Sequence, residues 1–239
     1  MNDTVIIIPA YNEGGKVGKL VERIRALGIG SDVVVVDDGS ADNTSASAKA
    51  AGAIALRLPM NLGYGGALQT GFRFALERGY AYAVQIDADG QHEPSYIPAL
   101  LEPVKAGLTD VALGSRFMGL CEYKTTFPKR MGMRLFGAIA SAVIGRKVTD
   151  PTTGFQALNR DVIRFYASDQ YPVDYPDADV LIMLHRAGLR SLEVPVVMYQ
   201  RAEGTSMHSG WKPLYYIFKM FLSIGVTLLR ENKFKRDER

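Results

Sequence analysis

The chain has 239 residues, of which 47% are hydrophobic and 22% are charged, and its formal net charge is +3. These values describe a globular protein with one sizeable core, and they exclude disordered and fibrous classes of protein. The single cysteine, Cys121, excludes a disulfide scaffold and indicates a reducing compartment, so we expect a cytoplasmic protein.

The first half of the chain alternates short β-rich runs with amphipathic stretches, which is typical of βα units and a parallel sheet. The predicted strands are residues 4–9, 32–37, 53–58, 81–87 and 110–113. The predicted helices between them are residues 15–27, 43–51, 65–78 and 95–106. We therefore expect an open, mostly parallel α/β sheet flanked by helices.

Beyond residue 116 the pattern changes, and we interpret this half as a cap on the first. It predicts a helix at 130–144, a β-like run at 153–158, a helix at 178–187 and a strand at 191–199. An amphipathic helix at 211–229 and a charged tail at 230–239 follow. No repeat or linker separates a second domain, so we expect one domain over 1–210 and a helical tail over 211–239.

Two segments carry most of the basic charge. Residues 111–149 contain seven basic residues and one acid, and residues 199–239 contain eight basic residues and four acids. Their aromatic neighbours lie in apolar runs, which favours a membrane surface or phosphate over nucleic acid. The longest apolar run, 214–229, is shorter than the ~20 residues of a spanning helix. We expect peripheral attachment to the inner face of a membrane. The alternative is a C-terminal helix packed on the domain itself or against a second subunit of a homo-oligomer.

Acidic residues follow three of the predicted strands. Glu13 follows the first strand, Asp37 and Asp38 end the second, and Asp87 and Asp89 end the fourth. Ligands of parallel α/β sheets bind beyond the carboxyl ends of the strands, so these residues are predicted to line one crevice.

Asp87 and Asp89 are two residues apart, which in extended chain places both carboxylates on one face. Oxygen ligands without a cysteine cluster favour Mg²⁺ or Mn²⁺ over zinc. A polar turn before the next helix is the alternative for an isolated Asp-x-Asp. The Gly-rich turn at 61–66 resembles neither a Walker loop nor a dinucleotide motif. We therefore predict that its glycines allow tight packing between a strand and the following helix.

Five motifs in order resemble glycosyltransferase family 2, and most closely its dolichyl-phosphate mannosyltransferase branch. The motifs are Ile7-Ile8-Pro9-Ala10-Tyr11-Asn12-Glu13, Val35-Val36-Asp37-Asp38-Gly39-Ser40, Asp87-Ala88-Asp89-Gly90-Gln91-His92-Glu93-Pro94, Gly114-Ser115-Arg116-Phe117 and Gln200-Arg201-Ala202-Glu203-Gly204-Thr205-Ser206. The resemblance implies a GT-A fold, a GDP- or UDP-linked sugar donor, a divalent cation (Mg²⁺ or Mn²⁺), and inversion at the anomeric carbon.

The resemblance also implies residue roles. Pro9, Tyr11, Glu13 and Asp38 would line the nucleotide, and Asp87, Asp89 and Gln91 would hold the metal and the donor diphosphate. Arg201 would approach the same diphosphate, and Arg116 and Arg130 would face an acceptor phosphate. Arg presents a fixed fork of donors that suits phosphate oxygens. A solvated or membrane-facing surface charge is the alternative for Arg116 and Arg130.

The sequence departs from this branch between Tyr175 and Asp179, where the branch has Gly-aromatic-Lys. An acceptor hydroxyl needs a general base, whereas an ionised phosphate does not. Asp177 or Asp179 is therefore either a base for a hydroxyl acceptor or a cap of the helix predicted at 178. The leading hypothesis is an inverting transferase that acts on polyprenyl phosphate. The alternatives are transfer to a glycan hydroxyl and a non-catalytic subunit that binds a nucleotide sugar.

Overall fold

The computed structural model describes residues 2–118, 127–172, 178–199, 212–229 and 234. Within these residues the chain forms a seven-stranded sheet with helices packed on both faces. The strands are β1 (Thr4–Ala10), β2 (Ser31–Asp37), β3 (Ile54–Arg57), β4 (Tyr82–Gln85), β5 (Val111–Ser115), β6 (Gln156–Asn159) and β7 (Ser191–Pro195). The helices are α1 (Val17–Ala26), α2 (Thr44–Ala50), α3 (Tyr64–Glu77), α4 (Ile97–Lys105), α5 (Phe127–Ile144), α6 (Arg160–Ala167), α7 (Ala178–Arg186) and α8 (Lys212–Leu229).

The sheet has the order β3-β2-β1-β4-β6-β5-β7. Strand β6 runs antiparallel to its neighbours β4 and β5, and the other pairs are parallel. The prediction of a mostly parallel sheet is therefore confirmed. Strand β1 lies in the middle of the parallel half, between β2 and β4, so the carboxyl ends of these three strands meet at one edge.

The central strand β1 is buried over its whole length because helices cover both faces of the sheet. Its side chains alternate between two hydrophobic cores. Val5 and Ile7 pack with Phe72 of α3 on one face, and Ile6 and Ile8 pack with α1 and α4 on the other. A continuous apolar run is what such a two-sided strand requires.

Helix α6 was not predicted, and it begins directly after β6. The Asn159 side chain accepts a hydrogen bond from the Val162 N–H at 3.0 Å, which caps the helix. Strands β4 and β7 end earlier than predicted: β4 ends at Gln85 rather than at residue 87, and β7 ends at Pro195 rather than at 199. Asp87 therefore lies outside the sheet and Asp89 lies in a turn, so the extended geometry assumed for this pair is wrong.

Helices α5, α7 and α8 pack together beside the main sheet. Phe136 of α5, Ile182 of α7 and Ile224 of α8 form a small core of their own. In the described part of the chain, no helix combines the length and the apolar character that a membrane span requires.

Candidate functional site

The candidate site lies beyond the carboxyl ends of β1, β2 and β4. Ala10 pairs with Asp37 at the ends of β1 and β2, and the Asp38 N–H donates to the Ala10 carbonyl at 2.9 Å. On the other side of β1, the Ile86 N–H donates to the Ile7 carbonyl at 3.1 Å, which holds the chain that leads to Asp87. The expected convergence of the three acidic strand ends is confirmed by this strand order.

Asp87 is held from three directions. The Tyr64 hydroxyl donates to Asp87 Oδ1 at 2.7 Å, and the Asp87 N–H donates to His92 Nδ1 at 3.3 Å. Gly154 approaches from the third side, since a β-carbon there would lie 2.7 Å from Asp87 Oδ2. The Asp87 side chain keeps 26% of its surface exposed, so a carboxylate with a defined orientation faces the crevice.

His92 accepts this hydrogen bond from the Asp87 backbone as a neutral ring. It is buried, and it stacks on Phe155 with the ring centroids 5.1 Å apart. Burial lowers the pKa of His92 to about 4. The ring is therefore uncharged near neutral pH, and its Nδ1 acts as a hydrogen-bond acceptor.

Asp89 and Gln91 lie in the turn that follows Asp87. Asp89 Oδ1 accepts from the Gln91 N–H at 3.0 Å, which is the local bonding of an Asx turn. The Tyr199 N–H donates to the Gln91 carbonyl at 2.8 Å, and the Gln91 amide nitrogen donates to the Tyr199 carbonyl at 3.4 Å. The chain after β7 thus returns to this turn. Arg201 lies outside the described residues.

Asp37 and Asp38 stabilise the loops of the neighbouring strand end. The Asp38 carboxylate accepts from the N–H groups of Leu62 and Gly63 at 2.7 and 3.0 Å. Burial raises the pKa of Asp38 above its ordinary value, although these two hydrogen bonds favour the charged form. Burial also acts on Asp37, but hydrogen bonds from Ser40 and Ser45 outweigh it and hold the Asp37 pKa below its ordinary value.

The chain after β1 is tied to the chain after β2. The Asn12 N–H donates to Ser40 Oγ at 2.9 Å, and the Glu13 N–H donates to Thr44 Oγ1 at 3.0 Å. Tyr11, just before them, follows the end of β1 and is 51% exposed. Pro9 is buried within β1, one residue before the end of that strand.

The Gly-rich turn packs tightly against the end of β2, as its interpretation predicted. Gly39 has a positive φ of 72°, and a β-carbon there would lie 2.8 Å from the Met60 carbonyl carbon. Only glycine fits this backbone approach without displacement. The turn leads directly into α3, whose first residue is Tyr64.

Arg116 is buried rather than a solvated surface charge. It is 8% exposed, and its Nε and Nη2 donate to the two oxygens of Asp150 at 2.7 and 2.6 Å. Nη2 also donates to Thr152 Oγ1 at 2.8 Å. Glu193 of β7 holds the Asp150 loop by accepting from the Asp150 N–H at 2.8 Å. Arg116 is therefore a preoriented cation next to the strand ends.

Three further residues were predicted to act at the acceptor: Arg130 as a phosphate ligand, and Asp177 or Asp179 as a base. Arg130 belongs to α5, but its side chain lies outside the described residues, and so does Asp177. Asp179 is described: it lies in the first turn of α7, is 1% exposed and accepts a hydrogen bond from Ser223 of α8.

The carboxylates suit a hard divalent cation by their chemistry. The described residues contain no group of three or more His, Cys, Asp or Glu side chains that could hold a metal by itself. Mg²⁺ commonly binds through one or two carboxylates together with the phosphates of its substrate. Asp87 and Asp89 fit this second mode, in which a diphosphate completes the ligand set.

Tyr64, Gly154 and Asp150 were not predicted as site residues from the sequence. Tyr64 stands inside a Gly-rich turn, where a tyrosine is unusual, and this was the available signal. Gly154 and Asp150 follow no strand end of the predicted sheet. Their positions depend on the antiparallel return of β6, which local patterns do not reveal.

Comparison with known proteins places the chain in a family. Residues 5–166 match glycosyl transferase family 2. The chain is 35% identical over 214 residues to the undecaprenyl-phosphate mannosyltransferase of Micrococcus luteus, with 85% of this chain and 86% of that protein covered. It is 31% identical over 231 residues to the polyprenol monophosphomannose synthase of Mycolicibacterium smegmatis, with 91% and 85% covered. The chain therefore belongs to glycosyltransferase family 2.

A solved structure supports the fold. The glucosyl-3-phosphoglycerate synthase of Mycobacterium tuberculosis, in complex with Mn²⁺ and UDP-glucose, superposes with a TM-score of 0.72 and 20% sequence identity. The match covers 93% of this chain and 79% of that chain. The protein is thus a glycosyltransferase with the GT-A-like fold that the resemblance implied.

Proposed function

We propose that this protein transfers a sugar from a nucleotide sugar to the phosphate of a polyprenyl lipid, with inversion at the anomeric carbon. One observation carries the proposal: a hydrogen bond from Tyr64 holds the Asp87 carboxylate beyond the end of β4, and Asp89 follows two residues later. The relatives of the chain include an undecaprenyl-phosphate mannosyltransferase and a polyprenol monophosphomannose synthase. GDP- and UDP-linked sugars are the donors to test.

The donor would lie across the three strand ends. The exposed Tyr11 ring offers an apolar surface for a base, and Pro9, Glu13 and Asp38 border the same end of the crevice. The diphosphate would then reach Asp87, Asp89 and Gln91. A divalent cation held by these three residues would supply positive charge that neutralises the departing diphosphate. Mn²⁺ is present in the structural relative, and both Mn²⁺ and Mg²⁺ suit oxygen ligands.

The transfer would be a single displacement. An oxygen of the acceptor phosphate forms a bond to the anomeric carbon from the face opposite the diphosphate. The bond from that carbon to the diphosphate oxygen breaks, and its electron pair leaves with the nucleoside diphosphate. Arg201, two residues after Tyr199, would add a cation at the leaving group.

The acceptor phosphate would be bound by arginines. Arg116 is preoriented by Asp150 and Thr152, and Arg130 would complete the pair. An ionised phosphate needs no general base. Asp179 is buried and bonded to Ser223, which supports a structural role for this carboxylate between α7 and α8.

Helix α8 would place the protein on the membrane that carries the acceptor. Leu222, Val226 and Leu229 are 56%, 54% and 89% exposed, and their spacing puts them on one face of the helix. Ile224 and Thr227, on the other side, are buried. The basic residues concentrated in 111–149 and 199–239 suit anionic lipid headgroups. We expect Leu222→Asp with Val226→Asp to weaken binding to anionic vesicles.

The activity is tested by supplying radiolabelled GDP- and UDP-sugars with Mn²⁺ or Mg²⁺, with and without undecaprenyl or dolichyl phosphate in detergent. A lipid-linked product that disappears with Asp89→Asn supports the proposal. Transfer to a glycan hydroxyl without a lipid-phosphate product would overturn it and favour Asp177 as the base. Binding of the nucleotide sugar without any turnover would favour a non-catalytic subunit.

A further inference from the structure

We infer that Tyr64 is a positioning residue that orients the Asp87 carboxylate for the donor diphosphate and its cation. This inference rests on the proposed function in one respect, namely that Asp87 faces that diphosphate. The Gly-rich turn that contains this tyrosine was predicted only to pack a strand against a helix, so the inference adds a role at the site.

The hydrogen bonds around Tyr64 have a defined direction. Its hydroxyl accepts from the Gln85 amide nitrogen at 3.1 Å and donates to Asp87 Oδ1 at 2.7 Å. A hydroxyl has one proton, and the amide N–H of Gln85 occupies one of its lone pairs. The proton is thereby directed at Asp87, which orients the carboxylate instead of leaving it to rotate.

The amide of Gln85 is bonded at its nitrogen, which contacts the Tyr64 hydroxyl, and its oxygen carries a cost to stability. Within the described residues, its amide oxygen is buried without a hydrogen-bond partner. A buried unsatisfied acceptor destabilises a fold, and an apolar side chain of similar size would avoid that penalty. The amide nitrogen, which holds the Tyr64 hydroxyl, is the part of Gln85 that the site uses.

The backbone of Tyr64 is anchored to the nucleotide side of the crevice. Asp38 accepts from the N–H groups of Leu62 and Gly63, directly before Tyr64. Gly154 closes the other side, since a β-carbon there would lie 2.9 Å from the Tyr64 hydroxyl oxygen. Tyr64 therefore links the loop beside the base to the carboxylate beside the diphosphate.

The test is the affinity for Mn²⁺, measured by electron paramagnetic resonance titration with saturating UDP or GDP. Tyr64→Phe removes one oxygen and keeps the ring. We expect Mn²⁺ to bind about tenfold or more weakly, because groups that orient metal ligands typically contribute this much. Tyr80→Phe is the matched control, since the Tyr80 hydroxyl donates to Asp32 at 2.7 Å and Asp32 lies near the opposite end of β2. It should bind Mn²⁺ like the wild type.

Equal Mn²⁺ affinity in Tyr64→Phe and the wild type would overturn the inference. If Tyr64→Phe fails to fold, Gln85→Met provides the second measurement. We expect weaker Mn²⁺ binding with a melting temperature no lower than that of the wild type, because the orphaned acceptor is removed. Unchanged Mn²⁺ affinity in this variant would likewise overturn the inference.

The lipid-product assay separates this inference from the proposed function. If Tyr64→Phe binds Mn²⁺ more weakly while the wild type makes no lipid-linked product, the inference is sustained and the proposed acceptor is overturned. If Tyr64→Phe binds Mn²⁺ like the wild type and the wild type makes the lipid-linked product, the inference is overturned and the proposed function is sustained. The Michaelis constant for the donor should rise in Tyr64→Phe, whereas that for the lipid phosphate should not.

Discussion

Arg116 and Asp150 form a two-pronged ion pair, with nitrogen–oxygen distances of 2.7 and 2.6 Å, inside the protein. Asp150 is fully buried and Arg116 is 8% exposed, so both charges depend on each other for compensation. The pair joins the end of β5 to the loop before β6. It thus connects fold stability to a residue that we place at the acceptor phosphate.

Removing one partner should destabilise the protein more than removing both. We expect Asp150→Ala to lower the free energy of unfolding by about 3–5 kcal/mol, because it leaves the guanidinium buried without its carboxylate. The double variant Arg116→Leu with Asp150→Leu should lose less. Urea denaturation measures both. Asp169→Ala, at the exposed Arg73–Asp169 pair, is the control and should change stability little, because the Asp169 side chain is 95% exposed. Equal losses in the single and double variants would contradict the argument.

Arg116→Lys should reduce the use of the lipid phosphate. Lysine keeps the charge but cannot form the two-pronged bond to Asp150. We expect kcat/KM for polyprenyl phosphate to fall about tenfold, the equivalent of one charge-assisted hydrogen bond. The Michaelis constant for the nucleotide sugar should stay the same. If only the Michaelis constant for the nucleotide sugar changes, Arg116 acts on the donor and not on the acceptor phosphate.

Asp87→Asn and Asp89→Asn should each lower turnover by about 100-fold or more, because charge on the departing diphosphate would lose its compensation. Both residues lie outside the sheet, so the melting temperature should change little. Asp169→Asn, at a side chain that is 95% exposed, is the matched control and should keep full activity. Turnover within a few-fold of the wild type in Asp87→Asn would remove this carboxylate from the mechanism.

Gly154→Ala should disturb Asp87 without breaking the sheet. The new methyl group would lie 2.7 Å from Asp87 Oδ2, which is closer than the atoms tolerate, so the carboxylate must turn. We expect weaker Mn²⁺ binding in the presence of a nucleoside diphosphate. Gly132→Ala in α5 is the comparison, since a β-carbon there meets no atom of the described residues within 4 Å. Identical titrations for the two variants would show that the contact has no effect.

Tyr80 should make the protein less stable at alkaline pH. Burial, together with the bond to Asp32, raises the pKa of Tyr80 to about 12 from the model-compound value of 10.0. Between these pH values the unfolded chain releases the phenolic proton while the folded chain retains it, so stability falls as the pH rises above about 10. Tyr80→Phe lacks this titration. The stability difference between wild type and variant should therefore shrink from pH 9 to pH 11, and a constant difference would contradict the assignment.

The family and most strands of the parallel half follow from local sequence. Apolar runs such as Val33 to Val36 predict buried strands, and the acidic residues after them predict the crevice, because parallel strands place their carboxyl ends together. These signals depend on neighbours along the chain. The position of Asp38, Asp87 and Asp89 after neighbouring strand ends therefore follows from the sequence.

The partners of these carboxylates required the tertiary structure. Tyr64 meets Asp87 across 23 positions, and Arg116 meets Asp150 across 34. Such contacts depend on strand order and on the antiparallel insertion of β6, which no local pattern encodes. The sequence by itself determined which chemical groups are present and which edge of the sheet carries them. The packing of distant segments decided which of these groups are exposed, oriented or neutralised, because burial and hydrogen bonding arise between residues far apart in the chain.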